Sequence, residues 1–295
     1  VTTKRNRWLV GTVLTLALAA FLSLSLLPIF EGNNNRRATG TSSTPSANDP
    51  ATMQAELESQ AKGYELVLER EPDNQTALKG LIDTQIQLGN MAGVVGPLEK
   101  LVELNPTVPE YRVLLAQTKQ QMGDLEGAAQ IYREVLDQNP GDINALQGLT
   151  ALLVQQGRPQ ATIGLLQDTL KTAEQVQGEA TPARIDTASV KLLLAQVYVE
   201  TNSPDQALKL YDEVISTTPD DFRPVLAKAL VLQEQGDTET AQSLFTQATA
   251  LAPAQFKDQI QQMAAQSQAP APLPLAPETS PQPDSNQPPA SNQPE

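Results

Sequence analysis

The sequence predicts an all-α stack of about five helix–turn–helix units, closed by helical caps and preceded by one apolar segment. Three regularities predict it. Proline recurs at Pro72, Pro106 and Pro140 and again at Pro219 and Pro253, each step being 34 residues. Seventeen residues after each proline, or its equivalent, stand Gly89, Gly123, Gly157, Asn202 and Gly236. At 22 and 26 residues after it come paired side chains: Val94 and Leu98, Ala128 and Tyr132, Thr162 and Leu166, Ala207 and Tyr211, Ala241 and Phe245. Self-similarity at such a period marks stacked units, because one helix pair cannot bury its apolar face alone.

Taken from the start, residues 1–7 form a basic segment with Lys4, Arg5 and Arg7. Residues 8–30 carry no charge over 23 positions. At 1.5 Å per residue that run reaches about 34 Å, enough to cross a hydrocarbon core of about 30 Å. It reads as an uncleaved signal anchor set in a lipid bilayer. A cleaved signal peptide, with Ala17-Leu18-Ala19 as its cut, fits less well because the apolar run continues beyond Ala19. The basic residues before the span favour a cytoplasmic N-terminus. The rest of the chain is then expected in the periplasm, or in a lumen if the membrane is a thylakoid. Residues 31–50 are polar, without apolar period, and read as a flexible linker.

Residues 51–72 predict a single helix ending at Pro72, with Tyr64 in the place of the large second-helix residue. It reads as a capping half-unit. Residues 73–253 hold the five pairs. First helices are expected near 75–88, 108–122, 142–156, 186–201 and 221–235. Second helices are expected near 91–104, 125–138, 159–174, 204–217 and 238–251. The glycines and Asn202 tolerate left-handed backbone and so mark the turn within each pair. The prolines cannot continue a helix and so end each second one. Pro140 and Pro219 lie 79 apart, two periods plus 11, which places an insertion near 175–185. Residues 254–267 predict a C-terminal capping helix. Residues 268–295 read as a disordered tail, since nine of the last 26 residues are proline.

These features resemble the tetratricopeptide repeat (TPR) family, whose 34-residue unit carries a small residue, an aromatic and a proline in its second helix. Gly123 through Pro140, Ala207 through Pro219 and Gly236 through Pro253 are the nearest matches. The family's first-helix Trp is missing throughout, since Trp8 lies in the apolar segment. The resemblance implies a right-handed superhelical solenoid with first helices lining a concave groove. It places the groove residues at Thr76, Lys79, Asp83 and Gln87; Glu110, Gln117, Gln120 and Gln121; Asn144, Gln147 and Gln155; Ser189, Gln196 and Glu200; and Arg223, Gln233 and Glu234. Amide side chains both donate and accept, so such a wall suits the backbone of a bound peptide. Carboxylate-clamp binding is not expected, because Asp83 and Glu110 stand where that subtype needs amide and basic groups.

Composition narrows the function further. The chain has no His and no Cys, which removes Cys/His zinc sites, thiol chemistry and the imidazole-based nucleophile pairs. Twenty basic residues against 34 acidic ones, a net charge of −14, do not form a nucleic-acid surface. Asp220 and Asp221 form a carboxylate pair, but at a helix start, where Asp caps amides. No cofactor, metal or catalytic site is expected, and the chain reads as a binding protein rather than an enzyme. The expected partner is a protein or peptide in the groove. By resemblance, anchored arrays of this kind assist assembly or organisation of membrane or envelope complexes, photosynthetic ones included. The alternative is a self-associating envelope-organising protein, joined through apolar second-helix residues such as Leu98 and Leu166 left exposed by the irregular first and third units.

Overall fold

A computed structural model describes residues 50–175 and 185–266. The described residues form twelve α-helices and no strand. A lone helix α1 (Pro50–Arg70) comes first. Five pairs follow: α2 (Gln75–Gln87) with α3 (Met91–Leu104), α4 (Pro109–Gln121) with α5 (Leu125–Gln138), and α6 (Ile143–Gln155) with α7 (Pro159–Gln175). Then come α8 (Thr187–Glu200) with α9 (Pro204–Thr217), and α10 (Phe222–Gln235) with α11 (Thr238–Leu251). Helix α12 (Ala254–Gln266) closes the array. Every bound lies within two residues of the one expected from the sequence. The expected membrane span 8–30, the linker and the proline-rich tail lie outside the described residues, as does most of the 175–185 insertion. Among the described residues no helix is long and apolar enough to cross a membrane.

The turn within each pair has one chemistry. Gly89, Gly123, Gly157 and Gly236 have φ between +70° and +89°, and Asn202 has φ +59°. The left-handed residue lets the next amide reach back five residues, as Asp124 N does to Lys119 O at 2.9 Å and Ser203 N to Tyr198 O at 2.8 Å. That bond satisfies a carbonyl the helix end would otherwise orphan. Side chains of Asn74, Asn90, Asp124, Asp142, Asp186, Asp221 and Asp237 accept from amides of the following first turns.

Each helix packs on its sequence neighbours. The principal contacts between non-consecutive helices join α4 to α6 and α6 to α8, all first helices. In a curved stack the elements on the inside lie nearer together, so the first helices line the concave wall. The large second-helix residues fill the seam to the next unit. Tyr132, Tyr211, Phe245, Leu98 and Leu166 are all at most 1% exposed. Their partners are matched in size. A methyl placed on Gly80 would meet the Tyr64 ring at 2.3 Å, and one on Gly148 would meet the Tyr132 ring at 2.2 Å. Where the second helix carries Leu98 or Leu166, the same first-helix position carries Leu114 or Leu193 in the same cluster. Tyr211 faces Ala227.

This matching corrects one expectation. Leu98 and Leu166 are not exposed by the irregular units; both are 0% exposed. The shorter side chain is met by a larger one across the seam, so neither leucine contributes apolar surface. The far end is covered too. Phe256 of α12 stacks on Phe222 with centroids 5.6 Å apart, and Ile260 is wholly buried.

Candidate protein-binding groove

The groove positions recur because each first helix starts at a cap and ends at a left-handed residue a fixed distance on. From cap to left-handed residue the step is 15 at Asn74–Gly89, Asp142–Gly157 and Asp221–Gly236. At Asp186–Asn202 it is 16. The insertion therefore adds ten residues before that cap and one inside the helix. The single extra residue moves Ser189 out of the groove register. Ser189 is buried, its amide and hydroxyl both bonded to the Asp186 carboxylate, the latter at 2.6 Å. Gln196 and Glu200, counted back from the turn, keep their register.

Thr76, Gln87, Gln121, Gln155, Glu200 and Glu234 are exposed. Lys79, Asp83, Glu110, Gln117, Gln120, Asn144, Gln147, Gln196, Arg223 and Gln233 are half-buried. Five are engaged by the protein itself. Lys79 Nζ lies 5.7 Å from the centroid of the Tyr111 ring on the next first helix. Gln120 accepts from the Tyr132 hydroxyl at 3.4 Å. Gln196 donates to Glu200 at 3.2 Å. Arg223 forks onto Asp221, Nη2 to Oδ2 at 2.7 Å and Nε to both oxygens at 3.0 Å. Gln117, Gln121, Asn144, Gln147 and Gln155 have no side-chain hydrogen bond among the described residues, so their amides are free to meet a guest.

The charges are less balanced than their count suggests. Both groove cations are held, Lys79 by a ring and Arg223 by the capping Asp221. Asp83, Glu110, Glu200 and Glu234 meet no cation among the described residues. Lys79 and Asp83 are four apart on one helix yet do not pair, the lysine-first order being the weaker one. Loss of hydration raises the carboxyls of the half-buried Asp83 and Asp142 above their ordinary range, and that of Glu200 as well although the residue as a whole is exposed. At Asp142 the loss of hydration is the main cause, opposed by the amides it caps, and the Glu110 charge adds a smaller rise. Asp142 and Tyr111 thus belong to the groove's electrostatics although their type and position gave no signal for it. Asp221 caps α10, as expected of a helix-start carboxylate, and in addition fixes Arg223. Among the described residues no group of three acids could hold a metal ion.

A family model described as tetratricopeptide repeat matches residues 70–252. The chain belongs to the tetratricopeptide repeat family. Cellulose synthase operon protein C of Xanthomonas axonopodis pv. citri (strain 306) is 29% identical over 185 residues, covering 52% of this chain and 12% of that protein. Protein SLOW GREEN 1, chloroplastic, of Arabidopsis thaliana is 27% identical over 191 residues, covering 65% of this chain and 59% of that protein. The matches thus span less than two thirds of either relative. Yeast Tom70 superposes with a TM-score of 0.53 at 13% identity, over 70% of this chain and 42% of that one, a likeness of fold alone. TPR arrays generally serve protein–protein interaction and assembly, the general function class to which this family belongs.

Proposed function

We propose that this TPR array recruits a segment of a partner protein into its concave groove while residues 8–30 hold it at a membrane. In this reading the N-terminus is cytoplasmic and the array stands in the periplasm or in a lumen, where it aids assembly or organisation of a membrane or envelope complex. One observation carries the groove. A wall of first helices displays Gln117, Gln121, Asn144, Gln147 and Gln155 with amides that the fold does not use. Gln117, Asn144 and Gln147 are half-buried, and partly desolvated amides gain most from a guest that supplies their missing partners. The 23-residue uncharged run supports the anchor. Confinement to a membrane raises effective concentration, so a groove of modest affinity suffices. A chloroplastic relative at 27% identity is in keeping with a thylakoid as one such membrane.

The test is crosslinked capture from native membranes with the wild-type chain and with Gln117→Lys plus Gln121→Glu. The variant is expected to lose partners that wild type retains. An unchanged set of partners refutes groove recognition. Fractionation gives a separate answer on the anchor: release of the chain by carbonate wash, without detergent, removes the membrane part of the reading.

A further inference from the structure

The outer edge of the last second helix, α11, departs from the pattern of the other four. Its Gln242 and Thr249 stand in register with Val95 and Val102 of the first unit and with Leu208 and Ile215 of the fourth. In the first four units both positions are apolar and packed into the core. At α11 they border a cleft of about 530 Å³ between α11 and α12. That size falls within the range of ordinary ligand pockets. Phe245, Ala250, Ala264 and Ala265 supply the apolar part of its lining. The Thr246 and Thr249 hydroxyls donate to helix carbonyls at 3.0 and 2.8 Å, so their protons are spent. The polar remainder is Gln242, Lys257 and Gln261. None of these three side chains has a hydrogen-bond or ion-pair partner among the described residues.

The cleft thus offers unused donors over an apolar floor. A docked helix keeps its carbonyls for its own ladder and would leave those donors unmet. An extended proline-rich segment brings the opposite balance, free carbonyls with few N–H groups. The chain carries such a segment directly after α12. Residues 270–277, PAPLPLAP, hold eight carbonyls and only four N–H groups. They include Leu273 and Leu275, whereas 278–295 hold no large apolar side chain. The reach agrees. From Gln266 back to Lys257 is nine residues of helix, about 14 Å. At about 3.1 Å per extended residue, five residues retrace that distance, and 267–269 are left to make the reversal. We propose that residues 270–277 fold back into the cleft between α11 and α12, their carbonyls accepting from Gln242, Lys257 and Gln261 and their leucines covering its apolar floor. The cleft shares no residue with the concave groove, so the two readings stand or fall separately.

The chain has no Cys, so two introduced thiols report only on each other. The measurement is the rate of disulfide formation in the full chain in detergent under a mild oxidant, read on non-reducing gels. Ala250→Cys, exposed at the cleft, is paired with Ala276→Cys. The control pairs Ala276→Cys with Gln259→Cys, exposed on the opposite side of α12. The control closes the shorter loop, so chain length alone makes it about twofold faster. Occupancy of the cleft reverses the order, with the Ala250 pair about fivefold faster or more. Adding Leu273→Ser with Leu275→Ser, or Gln242→Leu with Gln261→Leu, should restore the order set by chain length, at unchanged helicity by circular dichroism. An Ala250 pair that is not the faster one overturns the proposal, and so does one indifferent to both sets of changes. Disulfides that join two chains and fade on dilution assign the cleft to the tail of a second copy and equally overturn it.

Discussion

Changing Gly148 to Ala tests the seam between the second and third units. A methyl at Gly148 would sit 2.2 Å from Tyr132 Cζ and 2.5 Å from its hydroxyl oxygen. Both lie more than about 1 Å inside ordinary contact, and a ring that is 0% exposed has nowhere to turn. Overpacking of this kind costs about 1–3 kcal/mol, against about 1 kcal/mol gained by Ala over Gly in a helix. Gly164, inside α7, has nothing within 4 Å of an added methyl, so Gly164→Ala keeps only the gain. The two variants should differ by about 1–3 kcal/mol in opposite senses, read from urea midpoints at constant slope by circular dichroism. The size matching makes a stronger claim. Tyr132→Leu alone leaves a void, but with Gly148→Ala it reproduces the smaller–larger exchange seen at Leu98–Leu114 and Leu166–Leu193. The double variant should be more stable than the sum of the singles by about 1 kcal/mol. If Gly148→Ala stabilises as much as Gly164→Ala, or the double variant is additive, the seam is not a size-matched contact.

Four further outcomes follow from single features. Tyr211→Phe removes a buried hydroxyl with no partner among the described residues and should be neutral or stabilising, whereas Tyr132→Phe loses its bond to Gln120 and should cost about 0.5–1.5 kcal/mol; equal effects in thermal melts contradict this. Asp221→Ala should cost about 1–2 kcal/mol more than Asp237→Ala, because both lose a cap but only the first frees a half-buried Arg223; matched denaturation midpoints would show the fork to be idle. Gly123→Ala forces a left-handed backbone on a residue with a Cβ and should cost about 1–2 kcal/mol, with Gly164→Ala as the control in the same melt. For Asp83 and Glu200, loss of hydration raises the folded pKa above the unfolded one, so the folded chain binds protons more tightly and ionisation opposes folding. Stability tied to them is full below the ordinary carboxylate range and is lost as pH rises through the raised values. Asp83→Asn with Glu200→Gln should raise the urea midpoint at neutral pH and leave it unchanged near roughly pH 3, below the ordinary carboxylate range; a gain of equal size at both values contradicts the sign.

How far the fold was legible shows in particular residues. Asn202 was readable as a turn because few residues accept φ near +59°, a property of the residue itself. The caps, prolines and left-handed turns are local chemistry of the same sort, and they place the helices without reference to distant contacts. Pro97 is a counterexample. It lies inside α3, where it removes one helix bond, yet the helix persists because Val94, Leu98 and Leu101 around it are 0% exposed. That burial is tertiary.

The candidate groove divides along the same line. Its expected positions follow from the 34-residue period alone, and the structure shows a one-residue slip at Ser189. Which of them are free was decided only by the stacked structure. Lys79 is held by Tyr111, 32 residues on, and Tyr132 is met by Gly148 of the following unit. Such contacts join side chains a whole unit or half a unit apart, and no local propensity encodes them. The repeat is set by short-range chemistry within each unit. The size matching, the orphaned hydroxyl of Tyr211 and the unpaired acids arise between elements, where only packing brings the partners together.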